Sequence, residues 1–264
     1  MSRGSLGMKA DIVSVIIPYS PAHTPAEMLE EAKQSVNRQS ISTSILVIED
    51  THQKGPAWAR NRGIEKADTR YIAFLDADDL WNEDKLSRQL KKMDTTGAGL
   101  CVEGDERTDR EFIVDIFLGD LSSVTSSILI DRKTVKTKFD EELYRKEDHL
   151  FLIEAADQGG VCLCPNLTHI RKQQLGLSAT TSAEKVIRAR EEFAENCFNR
   201  IAWLQNYKKE FYTRHYYSAG RNWHLEGQYK PALRAFIDSL RQGFYWKTIP
   251  AMILSLFALM KNSF

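Results

Sequence analysis

No charge of one sign dominates this chain. Its 36 lysines and arginines balance 36 aspartates and glutamates. No broad field of one sign is available to hold a nucleic acid or an acidic polymer, which excludes both as expected partners. Long apolar runs are also missing, and nothing approaches the roughly twenty residues needed to span a bilayer. The longest candidate, residues 249–260, is too short and carries Pro250. Trp246, Lys247 and Lys261 flank it, which leaves open a last helix lying on a membrane surface or one packed on its own domain. Residues 1–9 lack the apolar centre of a secretion signal, and Met8 is an alternative natural start. The four cysteines, Cys101, Cys162, Cys164 and Cys197, stand at no metal-binding spacing. Cys162 and Cys164 share one face of a short strand, as buried thiols of a reducing compartment do. The expected location is therefore cytoplasmic, with peripheral contact at the inner face of the cell membrane if the last helix binds lipid.

What is present begins with Tyr71-Ile-Ala-Phe-Leu-Asp76-Ala-Asp78-Asp79. A short apolar run led by an aromatic residue reads as a buried strand. It ends in three carboxylates within four positions, which repel one another unless a cation binds or water surrounds them. At the C-terminal end of a strand in an open α/β sheet, the expected occupant is a ligand. Hard cations such as Mg²⁺ or Mn²⁺ fit such oxygen donors. Asp79 is the weakest of the three candidates, because such a residue can simply cap the next helix.

The remaining pattern predicts β-α-β-α-β-α alternation and hence a parallel, doubly wound sheet. Strands are expected at 12–18, 44–48 and 71–75. Helices are expected from Thr24-Pro25-Ala26-Glu27, with threonine as cap and proline in the first helical position, at 57–67, and at 83–93 with Asn82 as cap. Residues 97–110 read as polar and turn-rich. Residues 124–130 and 161–164 read as strands, and 148–157 as a helix. From residue 182 the strand signals stop. Helical patterns run over 183–207, 210–224 and 229–241. The stretch Gly227-Gln-Tyr229-Lys-Pro-Ala232-Leu-Arg-Ala-Phe236 resembles the middle of one tetratricopeptide unit and predicts a helical hairpin. The chain of 264 residues is long enough for one α/β domain and a small appendage.

Five segments resemble family 2 glycosyltransferases of the GT-A fold, in the family's order. They are Val13-Ser-Val-Ile-Ile-Pro18-Tyr19, Leu46-Val-Ile-Glu49-Asp50, Gly55-Pro-Ala-Trp-Ala-Arg60-Asn61-Arg-Gly63-Ile64, Phe74-Leu-Asp76-Ala77-Asp78-Asp79-Leu-Trp81, and Phe139-Asp-Glu141 followed by Glu147-Asp148. The resemblance covers about residues 12–180. It implies a Rossmann-like, mostly parallel GT-A sheet over residues 9–181 with a C-terminal helical region over 182–264. It implies an inverting, metal-dependent hexosyltransferase that uses a nucleotide-sugar donor, a UDP-sugar by expectation, and a saccharide, lipid-linked or protein-glycan acceptor. Pro18, Tyr19, Glu49, Asp50, Arg60, Asp76 and Ala77 would bind the donor. Asp78 would hold Mg²⁺ or Mn²⁺, and Asp148 would be the catalytic base. His169 and Arg171, in Leu-Thr-His-Ile-Arg, would contact the diphosphate.

The chemistry is consistent with those roles. Departure of a nucleoside diphosphate builds negative charge that a metal can take up. A sugar hydroxyl needs a carboxylate to accept its proton as it attacks. Two departures from the family pattern concern the loop after Asp50, which is short and lacks Asp-Gly-Ser, and the compact stretch 97–120. A nucleotidyltransferase would show a glycine-rich loop after the first strand, whereas Pro18-Tyr-Ser-Pro-Ala-His-Thr24 has no glycine. A phosphatase with an aspartyl nucleophile would place its Asp-x-Asp after the first strand and not the third. The remaining alternative is a sugar-nucleotide-binding or scaffold module without transferase activity. Trp58, Trp81 and Trp203 read as core residues before sugar platforms.

Overall fold

The computed structural model describes residues 13–122, 124–170 and 182–262. Arg171 and the start of the expected first strand at Ile12 lie outside them, as do residues 1–8. The chain divides into two compact units, and residues 114–121 and 142–146 group with the C-terminal helices.

In the first unit, β1 (Val13–Tyr19), β2 (Thr43–Glu49), β3 (Tyr71–Phe74), β5 (Leu100–Glu103), β6 (Leu129–Asp131) and β7 (Val161–Cys164) form a six-stranded sheet in the order β2-β1-β3-β6-β5-β7. β1 pairs parallel with β2 and β3, β5 pairs parallel with β7, and β6 is antiparallel to both neighbours. The mostly parallel α/β architecture expected from the sequence is the one observed. A second, two-stranded sheet pairs β4 (Leu80–Trp81) with β8 (Thr168–His169).

Alternation along β1 sends Val13, Val15 and Ile17 to one face, where they meet Leu29, Ala32 and Val36 of α1 (Ala26–Asn37). Those three helix positions are the stripe expected from the sequence. The opposite face receives α2 (Pro56–Lys66). There a side chain on Gly63 would place its Cβ 2.3 Å from Cγ2 of Ile16. Glycine is therefore required for α2 to approach β1. Gly63→Ala should cost about 1–3 kcal/mol by overpacking, and chemical denaturation will show it. An unchanged midpoint would mean that β1 and α2 separate without penalty.

Several local expectations are corrected. Pro25, not Thr24, is the N-cap of α1, and no side chain caps it. The extended ψ of 146° at Pro25 holds it outside the helix. The helix expected from residue 83 is α3 (Lys85–Thr96). Asn82 does not cap it. Its backbone N–H donates to Leu167 O and its side chain to Asn166 O, which holds the strand-like segment there. The polar stretch after Gly97 contains β5 and the start of α4 (Asp109–Leu118). The strand expected over 124–130 opens as a 3₁₀ turn, Thr125–Ser127, before β6. α5 spans Glu147–Gly159.

Lys85, the first residue of α3, is fully buried. Its Nζ donates to Gln89 Oε1 at 2.7 Å and lies 4.1 Å from the Trp81 ring centre. Burial pulls its pKa down to about 7, against weaker support from Cys101, Glu103 and Cys164. All four cysteines are buried and free, Cys162 and Cys164 as expected, and the Cys101 and Cys164 sulfurs lie 3.8 Å apart.

The second unit contains α6 (Ala183–Arg200), a 3₁₀ turn (Ala202–Tyr207), α7 (Lys208–Leu225), α8 (Tyr229–Gln242) and α9 (Thr248–Lys261). The single helix expected over 183–207 breaks at Ile201, whose extended backbone (φ −129°, ψ 87°) and buried side chain end α6. The expected hairpin is formed by α7 and α8. Gly227 turns it at φ 74°, and Ala232 and Phe236 are fully buried. Among the described residues, no helix is long and apolar enough to cross a membrane.

Candidate active site

Three strand ends converge at one edge of the sheet. In the parallel register Tyr19 pairs with Glu49 and Ile16 with Phe74. The ladder runs one step further, with Asp50 N–H donating to Tyr19 O and Leu75 N–H to Ile16 O. Tyr19, Asp50 and Asp76 are thereby brought to neighbouring positions, where open α/β sheets bind ligands. Pro18 and Tyr19 are half-buried, and Glu49 is exposed.

Asp50 is buried, and its oxygens accept backbone N–H groups of Lys54 (2.9 Å) and Gly55 (2.7 Å). It ties the short loop that leads into α2. Gly55 has φ +98°, a conformation that favours glycine. This loop contact was not read from the sequence.

One turn into α2, Arg60 reaches the acidic residues. Its side chain is buried, its Nη2 donates to Asp76 Oδ1 at 2.7 Å, and its Nη1 lies 3.5 Å from Glu147 Oε1. The guanidinium carbon sits 5.2 Å from the Phe139 ring centre. Burial disfavours the charged guanidinium, but Asp76, Glu147 and Asp148 outweigh it and raise its pKa. Arg60 is thus a fixed cation joining the end of β3 to the start of α5. Its Nε and Nη1 are buried without a hydrogen-bond partner.

Glu147 and Asp148 form the first turn of α5, where the helix dipole favours negative charge. Their environments separate them. Burial and then Asp148 push the Glu147 pKa up. Burial opposes ionisation of Asp148 too, but the hydrogen bond and charge of His149, with Arg60, outweigh it and bring its pKa down. His149 N–H donates to Asp148 Oδ1 at 2.8 Å, and its Nδ1 lies 2.9 Å from the same oxygen. Asp148 is therefore ionised at neutral pH and held in one orientation, while Glu147 keeps a proton more readily. Divergent pKa values in an adjacent pair are a signature of assigned acid–base roles.

The acidic turn after β3 is built from below. Asp79 N–H donates to Asp76 O, Ser126 Oγ donates to Asp79 Oδ2 at 2.6 Å, and Asp76 N–H donates to Ser126 Oγ at 3.1 Å. Trp81 Nε1 donates to Ser126 O at 2.7 Å. Asp79 and Ala77 are both buried, while Asp76 and Asp78 are half-exposed. Asp79 is thus neither a helix cap, since α3 starts at Lys85, nor an open ligand. It anchors the turn. Neither Ser126 nor Asn61 was given a role from the sequence. Asn61 donates to Phe139 O and Glu141 Oε1 and accepts from Phe139 N–H, which locks α2 to the Phe139-Asp-Glu segment. The run Thr125-Ser-Ser127 inside an expected strand was the one available hint of Ser126.

His169 is exposed and pairs with Leu80 across the two-stranded sheet, which places its strand beside the segment that follows the acidic turn. Thr168 next to it is tied through its N–H and Oγ1 to Glu103. Trp81 and Trp58 differ in fate. Trp81 is core, as expected, whereas Trp58 is half-exposed with Lys54 Nζ 5.2 Å from its ring centre. Among the described residues, no group of three His, Cys, Asp or Glu side chains is gathered to hold a metal unaided. With Asp76 engaged by Arg60, the turn offers a cation one or two carboxylates. That is the protein share expected for Mg²⁺ or Mn²⁺ held mainly through substrate phosphates and water.

Residues 15–114 match the family described as Glycosyl transferase family 2. Over that stretch the chain resembles this family. Among relatives, the chain is 25% identical over 213 residues to the succinoglycan biosynthesis protein ExoO of Rhizobium meliloti (strain 1021), a match that covers 61% of the chain and 60% of that relative's length. It is 26% identical over 233 residues to the UDP-Glc:alpha-D-GlcNAc-diphosphoundecaprenol beta-1,3-glucosyltransferase WfgD of Escherichia coli, covering 74% of the chain and 92% of that protein. Among solved structures, S. aureus TarS 1–349 in complex with UDP-GlcNAc superposes with a TM-score of 0.62 at 19% identity, over 95% of this chain and 88% of that one. The mannosyltransferase PcManGT from Pyrobaculum calidifontis, in complex with GDP-Man and Mn²⁺, superposes with a TM-score of 0.55 at 14% identity, over 96% and 80%. These likenesses establish the GT-A fold of the chain.

Proposed function

We propose that this chain is an inverting family 2 glycosyltransferase that moves a hexose from a nucleoside-diphosphate donor, a UDP-sugar, to a saccharide acceptor in glycan biosynthesis. The observation that supports it most is the Arg60 bridge. One buried cation ties Asp76, beside Asp78 at the end of β3, to the Glu147-Asp148 pair, in which Asp148 is held ionised. A group for the departing diphosphate and a group for the incoming hydroxyl thereby belong to one site.

In this reading Pro18, Tyr19, Glu49 and Asp50 receive the nucleoside, and the loop tied by Asp50 sets its edge. Asp76, oriented by Arg60, accepts hydrogen bonds from the ribose or the sugar, with Ala77 against the donor. Asp78 holds Mg²⁺ or Mn²⁺, which when bound supplies Lewis-acid stabilisation of the leaving diphosphate. His169 approaches the diphosphate from β8, and Arg171, outside the described residues, is assigned the same task by resemblance. Asp148 accepts the acceptor's proton as its oxygen attacks the anomeric carbon from the face opposite the leaving group. A single displacement inverts that centre. Residues 9–181 carry this chemistry, and residues 182–264 are the helical region.

A lipid-linked acceptor is favoured by the relative whose name specifies a diphosphoundecaprenol-linked sugar. The alternative of a scaffold without activity is disfavoured, because it gives no reason to keep Asp148 ionised beside Asp76 and Asp78. Calorimetry tests the reading. UDP-sugar binding should strengthen on adding Mn²⁺, and Asp78→Ala should remove that increment. Equal affinities with and without Mn²⁺ in the unaltered protein would rule out the metal assignment.

A further inference from the structure

The amphipathic pattern of α9 is inverted. A helix that packs on protein turns its large apolar side chains inward. Here the inward positions are Thr248, Ala251 and Ser255, all small and buried. They are fixed by polar contacts. Ser239 Oγ lies 3.2 Å from Thr248 Oγ1, Ser255 Oγ lies 2.7 Å from His224 Nδ1, and Ser255 Oγ donates to Ala251 O. The helix is thus pinned to α7 and α8 in one rotational setting. Its outward face presents Ile249, Ile253, Leu254, Leu256, Phe257 and Met260, all exposed, with Phe257 at 64% and Leu254 at 57%. At 100° per residue these six positions cover an arc of about 160° that holds no acidic residue.

The surroundings of that face specify its occupant. From Ser239 to the last residue there are three basic side chains, Arg241, Lys247 and Lys261, and no aspartate or glutamate. Arg241 is paired with Asp238 at 3.0 Å. Lys247 and Lys261, at opposite ends of α9, remain to meet anions. Just before the helix Phe244 and Trp246 are 78% and 65% exposed, and Lys247 Nζ lies over the Trp246 ring at 5.5 Å. Exposed aromatics beside lysines at the rim of an apolar face match the boundary between headgroups and acyl chains. The helix, about 21 Å long, is too short to cross and long enough to lie flat. Pro250 sits in its first turn, where no helical hydrogen bond is lost.

We propose that α9 is a monotopic anchor that lies in the surface of an anionic bilayer, with Phe257, Ile253 and Leu254 among the acyl chains and Lys247 and Lys261 on lipid phosphates. A surface that gathers a lipid-linked acceptor would then be built into the helical unit. The proposal stands on α9 alone and does not depend on the transfer chemistry.

Vesicle co-sedimentation tests it, with the full chain, on phosphatidylcholine alone and on phosphatidylcholine mixed with phosphatidylglycerol. Binding is expected on the mixed vesicles and is expected to weaken with salt. Ile253→Glu/Phe257→Glu should lower it by roughly tenfold or more, and Lys247→Ala/Lys261→Ala should remove most of the preference for anionic lipid. Brominated lipids should quench tryptophan emission in the unaltered protein by more than in Trp246→Phe, a readout that does not depend on a charged substitution folding well. Absence of sedimentation with anionic vesicles overturns the proposal. So does a self-associated protein, seen by light scattering, that Ile253→Glu/Phe257→Glu converts to monomer, because a second copy would then cover the face. Sugar transfer to a soluble acceptor, measured in parallel, separates failure of this proposal from failure of the transferase reading.

Discussion

Asp148→Asn is expected to lower sugar transfer by about 10²–10⁴-fold, the usual contribution of a positioned general base, while donor affinity changes little. Asparagine keeps the shape and the oxygen that accepts from His149 N–H, so the first turn of α5 should persist. What it removes is the capacity to take a proton. Arg60 retains Asp76 as its principal partner, so the donor side of the site should hold. Donor titration and single-turnover transfer on the same preparation separate the two effects. A parallel fall in both would make Asp148 a structural partner of Arg60. Glu147 supplies the internal contrast. Its carboxyl is pushed toward the protonated form, so Glu147→Gln should act through Arg60 and donor binding more than through the hydroxyl.

The second large effect is on stability. Lys85 has a folded pKa of about 7 against an ordinary value of 10.5. Below pH 7 both folded and unfolded chains hold the proton, and the full cost of burying the charge is present. Between pH 7 and 10.5 the unfolded chain binds a proton that the folded chain does not, so stability rises with pH, by up to a factor of ten in the folding equilibrium per unit. Above that range both are neutral and the cost has gone. The span of 10.5 minus 7, or 3.5 units, corresponds to a total on the order of 5 kcal/mol. Lys85→Met fills similar volume without a charge and should abolish this slope. It also leaves Gln89 Oε1 without its donor, at a cost of about 1–3 kcal/mol that does not vary with pH. The test is therefore the difference between the two denaturation curves from pH 6 to 10. A constant difference would mean that Lys85 stays charged when folded, with water reaching its ammonium.

Much of the frame of the candidate site was legible in the chain. The β-branched run of β1, the stripe Leu29, Ala32 and Val36, and the abrupt end of β3 in Asp76-Ala-Asp78-Asp79 are local signals with local causes. The helix expected over 57–67 is α2, one residue earlier at each end, and Gly63 has its reason in the approach to Ile16. Other elements were not legible. β5 is four residues between a glycine turn and acidic residues, and it becomes a strand because β6 and β7 offer it partners on both sides. Ser126 and Asn61 act through bonds to residues 47 and 78 positions away, Asp79 and Phe139, which no window along the chain contains.

The sequence by itself determined the strand–helix alternation from β1 to α3 and the presence of three acidic clusters, because these follow from periodicity and from residue type, while the antiparallel β6 and the strand β5 came only with the fold. The tertiary structure decided what the acids do. It gave Asp79 to Ser126 and Asp76 to Arg60, and it set Glu147 and Asp148 apart in proton affinity by burial and by their neighbours. It also decided which face of α9 looks outward, since small residues bonded to α7 and α8 fix its rotation. Proton affinities and exposed faces depend on distances between segments remote in the chain, and only folding sets those distances.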